Sequence, residues 1–219
     1  TPPGVTTAPN VTIIVPPRIN INNTNVSGSF VVNVSVNDSE SPVHNVNLTI
    51  YNSTGNATGM IPMNISTGSN VSGYWNKTFD STTLRDGRYN LSVNATDSAA
   101  TPNIAISANV SIIIDNTAAN VSVVVPANNT IQNGTILINA SVNDSLSKVL
   151  NATFRLTTSS GSTLTAWLYA TNGTGNRDQG YWNTTFDTQT LPDGNYSITI
   201  NATDYAGNQK IFNISQIEI

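Results

Sequence analysis

The sequence predicts an all-β chain folded as two tandem sandwiches of about seven strands each. Three observations carry that prediction: a long internal repeat, apolar residues that alternate with polar ones, and turn residues that break the alternation at short intervals. Segment 73–97, opening Gly73-Tyr-Trp-Asn76 and closing Asn94-Ala-Thr-Asp97, returns as 180–204, opening Gly180-Tyr-Trp-Asn183 and closing Asn201-Ala-Thr-Asp204. Repetition on this scale marks a duplicated structural unit. Shorter matches extend it: Val36-Asn-Asp-Ser39 with Val142-Asn-Asp-Ser145, and Asn10-Val-Thr-Ile-Ile-Val-Pro16 with Asn120-Val-Ser-Val-Val-Val-Pro126. The implied organisation is an extended tail over 1–9, a first domain over 10–114, a linker over 115–119 and a second domain over 120–219.

The runs Val32-Asn-Val-Ser-Val-Asn37 and Tyr196-Ser-Ile-Thr-Ile-Asn-Ala202 alternate at a period of two, which places every second side chain on one buried face of a strand. Strands are expected near 10–16, 28–37, 45–52, 60–66, 73–80, 88–96 and 105–114 in the first unit. The second unit offers them near 120–126, 134–143, 149–157, 163–170, 180–187, 194–202 and 209–219. Gly, Pro, Asn and Ser turns separate them, and no helix is expected. Trp75, Phe79, Trp182 and Phe186 share the inward register of their strands and are read as core aromatics rather than sugar-stacking platforms.

Asparagine opens an Asn-x-Ser/Thr sequon 25 times in the 219 residues. The chain holds 33 asparagines and 53 Ser plus Thr. Random placement would convert only about eight of those asparagines, so the excess marks a surface shaped by N-glycosylation. The acceptors are Asn10, Asn22, Asn25, Asn33, Asn37, Asn47, Asn52, Asn56, Asn64, Asn70, Asn76, Asn90 and Asn94 in one half, with Asn109 at its end. In the other half they are Asn120, Asn128, Asn133, Asn139, Asn143, Asn151, Asn172, Asn183, Asn195, Asn201 and Asn213. On a strand, positions i and i+2 share a face, so asparagine and hydroxyl point outward while the middle residue points in. Val34, Leu48, Leu91, Val110, Val121 and Ile214 are such centres and are expected to be buried.

Composition narrows the partners. Charged residues make up 9% of the chain, the net charge is -4, and the basic residues are scattered, so nucleic acid is excluded as a partner for want of a basic stripe. No run approaches the roughly 18 apolar residues of a membrane span. The chain opens at Thr1 without a signal peptide, as a mature product or a segment of a longer one would. Cysteine is absent, so stability is expected to come from sheet burial alone. A secreted, sequon-dense, cysteine-free chain points to a prokaryotic, archaeal surface protein.

Leu84-Arg-Asp-Gly-Arg-Tyr89 and Leu191-Pro-Asp-Gly-Asn-Tyr196 each set an Asp-Gly turn before a strand whose first inward residue is tyrosine. They resemble the tyrosine corner of immunoglobulin-like sandwiches. With Asn201-Ala-Thr-Asp-Tyr-Ala-Gly-Asn208, the stretch 182–208 is similar to prokaryotic immunoglobulin-like domains, which occur in tandem in surface layers, adhesins and pilus-like appendages. Asp97-Ser-Ala-Ala-Thr-Pro102 departs from that pattern by lengthening the turn, and Ile114-Asp-Asn-Thr-Ala-Ala-Asn120 resembles the linkers of such arrays. The resemblance implies the fold and leaves the role open.

Chemistry is sparse. The single histidine, His44, lies in a turn-like context and there is no cysteine nucleophile, so no enzyme is expected. The aspartates sit largely in turns such as Asn37-Asp38 and Asp86-Gly87. No cofactor is expected beyond covalent N-linked glycans and no metal motif is present. Asp97, Asp115, Asn116 and Asp204 fall near domain ends as calcium candidates, against a simpler role as turn caps. Lys77, Lys148 and Lys210 are candidates for isopeptide links.

The functional expectation is a heavily N-glycosylated structural subunit of an extracellular, pilus-like filament that polymerises with itself head to tail. The rival is an adhesin stalk or surface-layer segment that binds a glycan or another cell. Sequon-free stretches at 1–9, 99–108 and 154–170 are the expected contact surfaces. The segment 1–9 is either a donor hook or a polyproline-like tail.

Overall fold

The computed structural model of the chain describes residues 7–14, 24–158 and 160–219. The chain divides into two compact units, Thr1–Asn116 and Thr117–Ile219. The first holds β1 (Asn10–Ile14), β2 (Thr24–Val26), β3 (Ser29–Asn37), β4 (Val43–Asn52), β5 (Gly55–Asn56), β6 (Ile61–Pro62), β7 (Asn64–Gly68), β8 (Ser72–Asp80), β9 (Gly87–Asp97), β10 (Ile104–Ile106) and β11 (Val110–Ile114). The second holds β12 (Asn120–Val125), β13 (Thr130–Ile131), β14 (Thr135–Asn143), β15 (Val149–Thr158), β16 (Leu168–Tyr169), β17 (Thr171–Gly175), β18 (Gln179–Asp187), β19 (Asn195–Asp204) and β20 (Gln209–Glu218).

In each unit two sheets face one another. The orders β1-β3-β8-β7 and β2-β11-β9-β4-β5 make the first, and β12-β14-β18-β17 and β13-β20-β19-β15-β16 the second. A four-stranded sheet opposed to one whose centre is the third, sixth and seventh long strands is the immunoglobulin arrangement. Both units are therefore immunoglobulin-like sandwiches.

Alternation builds each core. Strand β3 buries Phe30, Val32, Val34 and Val36, and β9 returns Tyr89, Leu91, Val93 and Ala95 from the opposite sheet. Phe154, Leu156, Ile198 and Ile200 do the same work in the second unit. Each fully buried Val, Leu or Ile contributes roughly 1.5–3 kcal/mol. That burial substitutes for the disulfides the chain lacks. Trp75 and Trp182 are buried, while Phe79 and Phe186 are half-buried against the same cores, and Phe30 meets Phe79 edge to face at 5.9 Å.

The sheets are joined by corners. After β8 and β18 the chain makes a 3-10 turn, Ser81–Thr83 or Thr188–Thr190, capped by Asp80 or Asp187. The hydroxyl and N–H of Thr82 hold the Asp80 carboxyl below its usual range. Tyr89 then donates its hydroxyl to Arg85 O, and Tyr196 to Pro192 O, completing a tyrosine corner in both units. The Asp-Gly pairs thus lie in a crossing between sheets rather than in a hairpin, because β8 and β9 belong to opposite layers.

Several expectations need correction. The segment 60–66 splits: β6 pairs with β4 in one sheet and β7 with β8 in the other, with Met63 buried between. The run 105–114 also splits, since Ser107 donates its N–H to Val93 O and accepts from Val93 N, separating β10 from β11. In the second unit only Leu168–Tyr169 of 163–170 forms a strand, and β17 lies beyond it. The short parallel strands β2, beside β11, and β13, beside β20, were not anticipated.

Among sequon centres, Val34, Leu48, Leu91 and Val121 are buried, whereas Val110 is half-buried. The hydroxyls do not all reach solvent. Thr49 and Ser92, which are register partners, and Thr153 are buried despite their outward register. Residues 1–6 of the tail, Val15 and Pro16 of the first expected strand, and Asn22 lie outside the described residues, as do the side chains of Asn56 and Ile214.

Candidate functional site

The sequon asparagines form rungs. Antiparallel register sets Asn33 opposite Asn76 and Asn76 opposite Asn64 across β3, β8 and β7. Asn10 faces Asn37, Asn47 faces Asn94, Asn120 faces Asn143 and Asn139 faces Asn183. Every described sequon asparagine is exposed or half-buried. The amides also serve the sheet: Ser72 Oγ donates to Asn37 Oδ1, and Ser111 Oγ to Asn90 Oδ1, both at 2.7 Å. What the arrangement offers chemically is a set of acceptor amides on the outer faces, anchored by buried sequon centres.

The stretches free of sequons carry bare apolar side chains. Ile104 and Ile106 of β10 are 59% and 70% exposed, and Leu164 and Tyr169 are 40% and 76% exposed. Of the tail, Pro9 is buried, and Thr7 N donates to Glu40 Oε2 at 3.3 Å.

The four calcium candidates separate by role. Asn116 is a structural hub: its Oδ1 accepts from Gly28 N and Ser81 Oγ, its Nδ2 donates to Ser81 O and Asp86 Oδ1, and its N–H donates to Asp86 Oδ1. Asp115 is buried and donates its N–H to Val26 O. Asp97 and Asp204 close equivalent strands and clamp equivalent loops. Asp97 Oδ1 takes the N–H groups of Ala99 and Asn103, and Asp204 Oδ1 those of Ala206 and Asn208. Their Oδ2 atoms accept from Asn103 Nδ2 and Asn208 Nδ2, both at 2.8 Å. Burial is the largest single influence on the Asp97 carboxyl and pushes it up. The bonds from Asn103, Ala99 and Ser41 together hold it below its usual range.

His44 is exposed on β4. Lys148 is exposed and pairs with Asp178 at 3.4 Å, Lys210 is exposed, and Lys77 is half-buried on β8. An isopeptide link needs an amine buried against its amide, which neither Lys148 nor Lys210 offers. Two features escaped the sequence reading. Arg155 stacks over Trp167 at 4.5 Å, and Arg177 lies between Trp182 and Tyr205 at 5.7 and 5.6 Å. The second is a buried Asp-x-x-Ser pair, Asp38 with Ser41 and Asp144 with Ser147, whose repetition in both halves was the available signal.

A family model described as a bacterial Ig domain matches residues 120–200, from the start of β12 into β19. No curated protein matches the chain. Solved structures similar to it include the fibronectin(III)-like modules of CbhA from Clostridium thermocellum, at 16% identity and a TM-score of 0.42, covering 95% of this chain and 94% of that one. Latent dimeric PorU from Porphyromonas gingivalis matches at 13% identity and a TM-score of 0.38, covering 97% of this chain and 20% of that one. The endo-beta-1,4-mannanase of Thermotoga petrophila matches at 14% identity and a TM-score of 0.37, over 48% of this chain and 20% of that one. Among the described residues no helix is long and apolar enough to cross a membrane.

Proposed function

We propose that these two tandem immunoglobulin-like domains form the N-glycosylated structural subunit of an extracellular, pilus-like filament that assembles head to tail and has no catalytic role. The observation that carries the reading is the placement of sequon amides in outward rungs on both sandwiches. Ile104, Ile106, Leu164 and Tyr169 stand exposed in stretches without sequons, and Met60, Ile131 and Ile211 are exposed near sequons. Sugar on the rungs hydrates a chain with few charges and blocks lateral pairing of sheet edges. The bare apolar positions are left for contact between copies.

The duplication supports an end-to-end order. Strands β1 and β12 make the same pairing in their units, as do β11 and β20, so one copy set after another repeats the internal sequence order of last strand, seam and first strand. Electron microscopy of the purified glycoprotein tests the reading. Fibres with an axial repeat of one two-domain subunit are expected; isolated rods or a planar lattice would overturn it in favour of a stalk or surface layer.

A further inference from the structure

Both sandwiches enclose a pair of aspartates at one end. In the first, the loop after β3 turns Asp38 inward, 4% exposed, with Oδ1 accepting the N–H groups of Glu40 at 2.9 Å and Ser41 at 3.1 Å. Its other oxygen, Oδ2, is enclosed without a hydrogen bond. Ser41 Oγ is enclosed as well, on a residue 7% exposed, with the Asp97 carboxylate as its polar contact. The Ser41 side chain lies beside the Asp97 carboxylate, itself 1% exposed at the end of β9. Val43, register partner of Asp97, brings the two segments together. Neither Asp38 nor Asp97 forms an ion pair; the salt bridge among the described residues is Lys148 to Asp178.

The second unit repeats the constellation. Asp144 Oδ1 accepts from Leu146 N, Ser147 N and Lys148 N, Ser147 Oγ donates to Asp144 Oδ2 at 3.2 Å, and Val149 is the register partner of Asp204. Asp144 and Asp204 are 8% and 0% exposed, and an oxygen of each lies within 4.8 Å of the other.

Buried carboxylates are costly unless a counter-charge or a metal compensates them. Enclosed polar atoms without a partner call for a ligand. Oxygens that share one Ca²⁺ each lie about 2.4 Å from it, so a separation up to about 4.8 Å suits a single ion between two carboxylates. The loop amides fix one oxygen of Asp38 and leave the other for such an ion.

We propose that Asp38, Ser41 and Asp97, and their counterparts Asp144, Ser147 and Asp204, are each the protein half of a Ca²⁺ site, one in each sandwich. All donors are oxygens, as a hard cation requires, and water and backbone carbonyls complete the shell. The site ties the loop after the second long strand, β3 or β14, to the end of the sixth, β9 or β19. Assembly plays no part in the argument.

Calorimetric titration of the EDTA-stripped full chain with CaCl₂ tests it. Two equivalents are expected, and Asp38→Asn should remove one of them. Ser41→Ala guards against simple unfolding. It removes the hydroxyl but leaves the Asn103 and Ala99 bonds to Asp97 in place, so in EDTA the variant should still melt cooperatively, while binding at the first site weakens about tenfold or more. Absence of binding at millimolar Ca²⁺, two equivalents retained in Asp38→Asn, or unchanged binding in Ser41→Ala would overturn the assignment and leave an enclosed water as the partner of these atoms.

Discussion

Tyr196 donates its hydroxyl to the carbonyl oxygen of Pro192 at 2.5 Å, and Tyr89 repeats the bond to Arg85 at 2.8 Å. Both rings are buried and both bonds span the corner where the chain changes sheets. Tyr196→Phe keeps the ring and deletes the bond, which should cost about 1 kcal/mol. For a domain of this size that corresponds to a fall of about 4–8 °C in Tm. Scanning calorimetry of the full chain checks it, with Tyr89→Phe expected to act by the same amount on the other domain.

Register fixes which of two neighbouring residues matters. Ile138 is fully buried while Leu137, its neighbour on β14, is 45% exposed. Ile138→Ala should therefore cost about 2–5 kcal/mol and Leu137→Ala within about 0.5 kcal/mol. Equal losses in chemical denaturation would mean that the strand is shifted by one residue.

Asp97 sets an acid limit on the first domain. Burial raises its pKa, but the bonds from Asn103, Ala99 and Ser41 outweigh burial and the carboxyl sits below its usual range. A depressed folded pKa gives stability that is present above the unfolded pKa and lost as pH falls through the folded one. Asp97→Asn should thus destabilise the chain near neutral pH, and the gap to the parent should narrow as pH drops from about 5 to about 2. Thermal melts across that range measure it.

If the sequons carry sugar as proposed, the rungs should limit its occupancy. Side chains directly opposite on antiparallel strands stand about 5 Å apart at Cβ, too close for two glycans to rise side by side without mutual exclusion. Asn76 has sequon neighbours on both sides, Asn33 and Asn64. Asn33→Gln with Asn64→Gln should raise occupancy at Asn76, read by glycopeptide mass spectrometry. Solitary Asn195, which faces Glu218, should be unaffected.

The period-two alternation was enough to read Val32, Val34, Val36, Ile198 and Ile200 as core, because register is local and one slip would turn every side chain outward. The long strands and the duplicated corner were legible for the same reason. What the sequence hid was non-local. The parallel pairings of β2 with β11 and of β13 with β20 join residues far apart along the chain, and strands of three and two residues are too short to show a period. The division of 60–66 between sheets depends on Met63 N–H reaching Val46 O, a contact that alternation cannot encode. The aspartate pairs looked like ordinary turn residues because half of each is one. Only burial distinguishes the oxygen left over.

The parallel contact between β2 and β11 matters to a chain loaded along its length. Strand β2 follows β1, β11 closes the first sandwich at Ile114, and three consecutive residue pairs link the two, with Asp115 N–H adding a bond to Val26 O. Strands β13 and β20 repeat the device, reinforced by Asn129 and Gln132 N–H donating to Gln216 O and Glu218 O at 2.7 Å. Because the paired strands run the same way, a pull on the two ends slides them in opposite directions, and the hydrogen bonds carry the force together in shear. Antiparallel neighbours would open like a zipper, one bond at a time. Each domain is in this sense latched against tension.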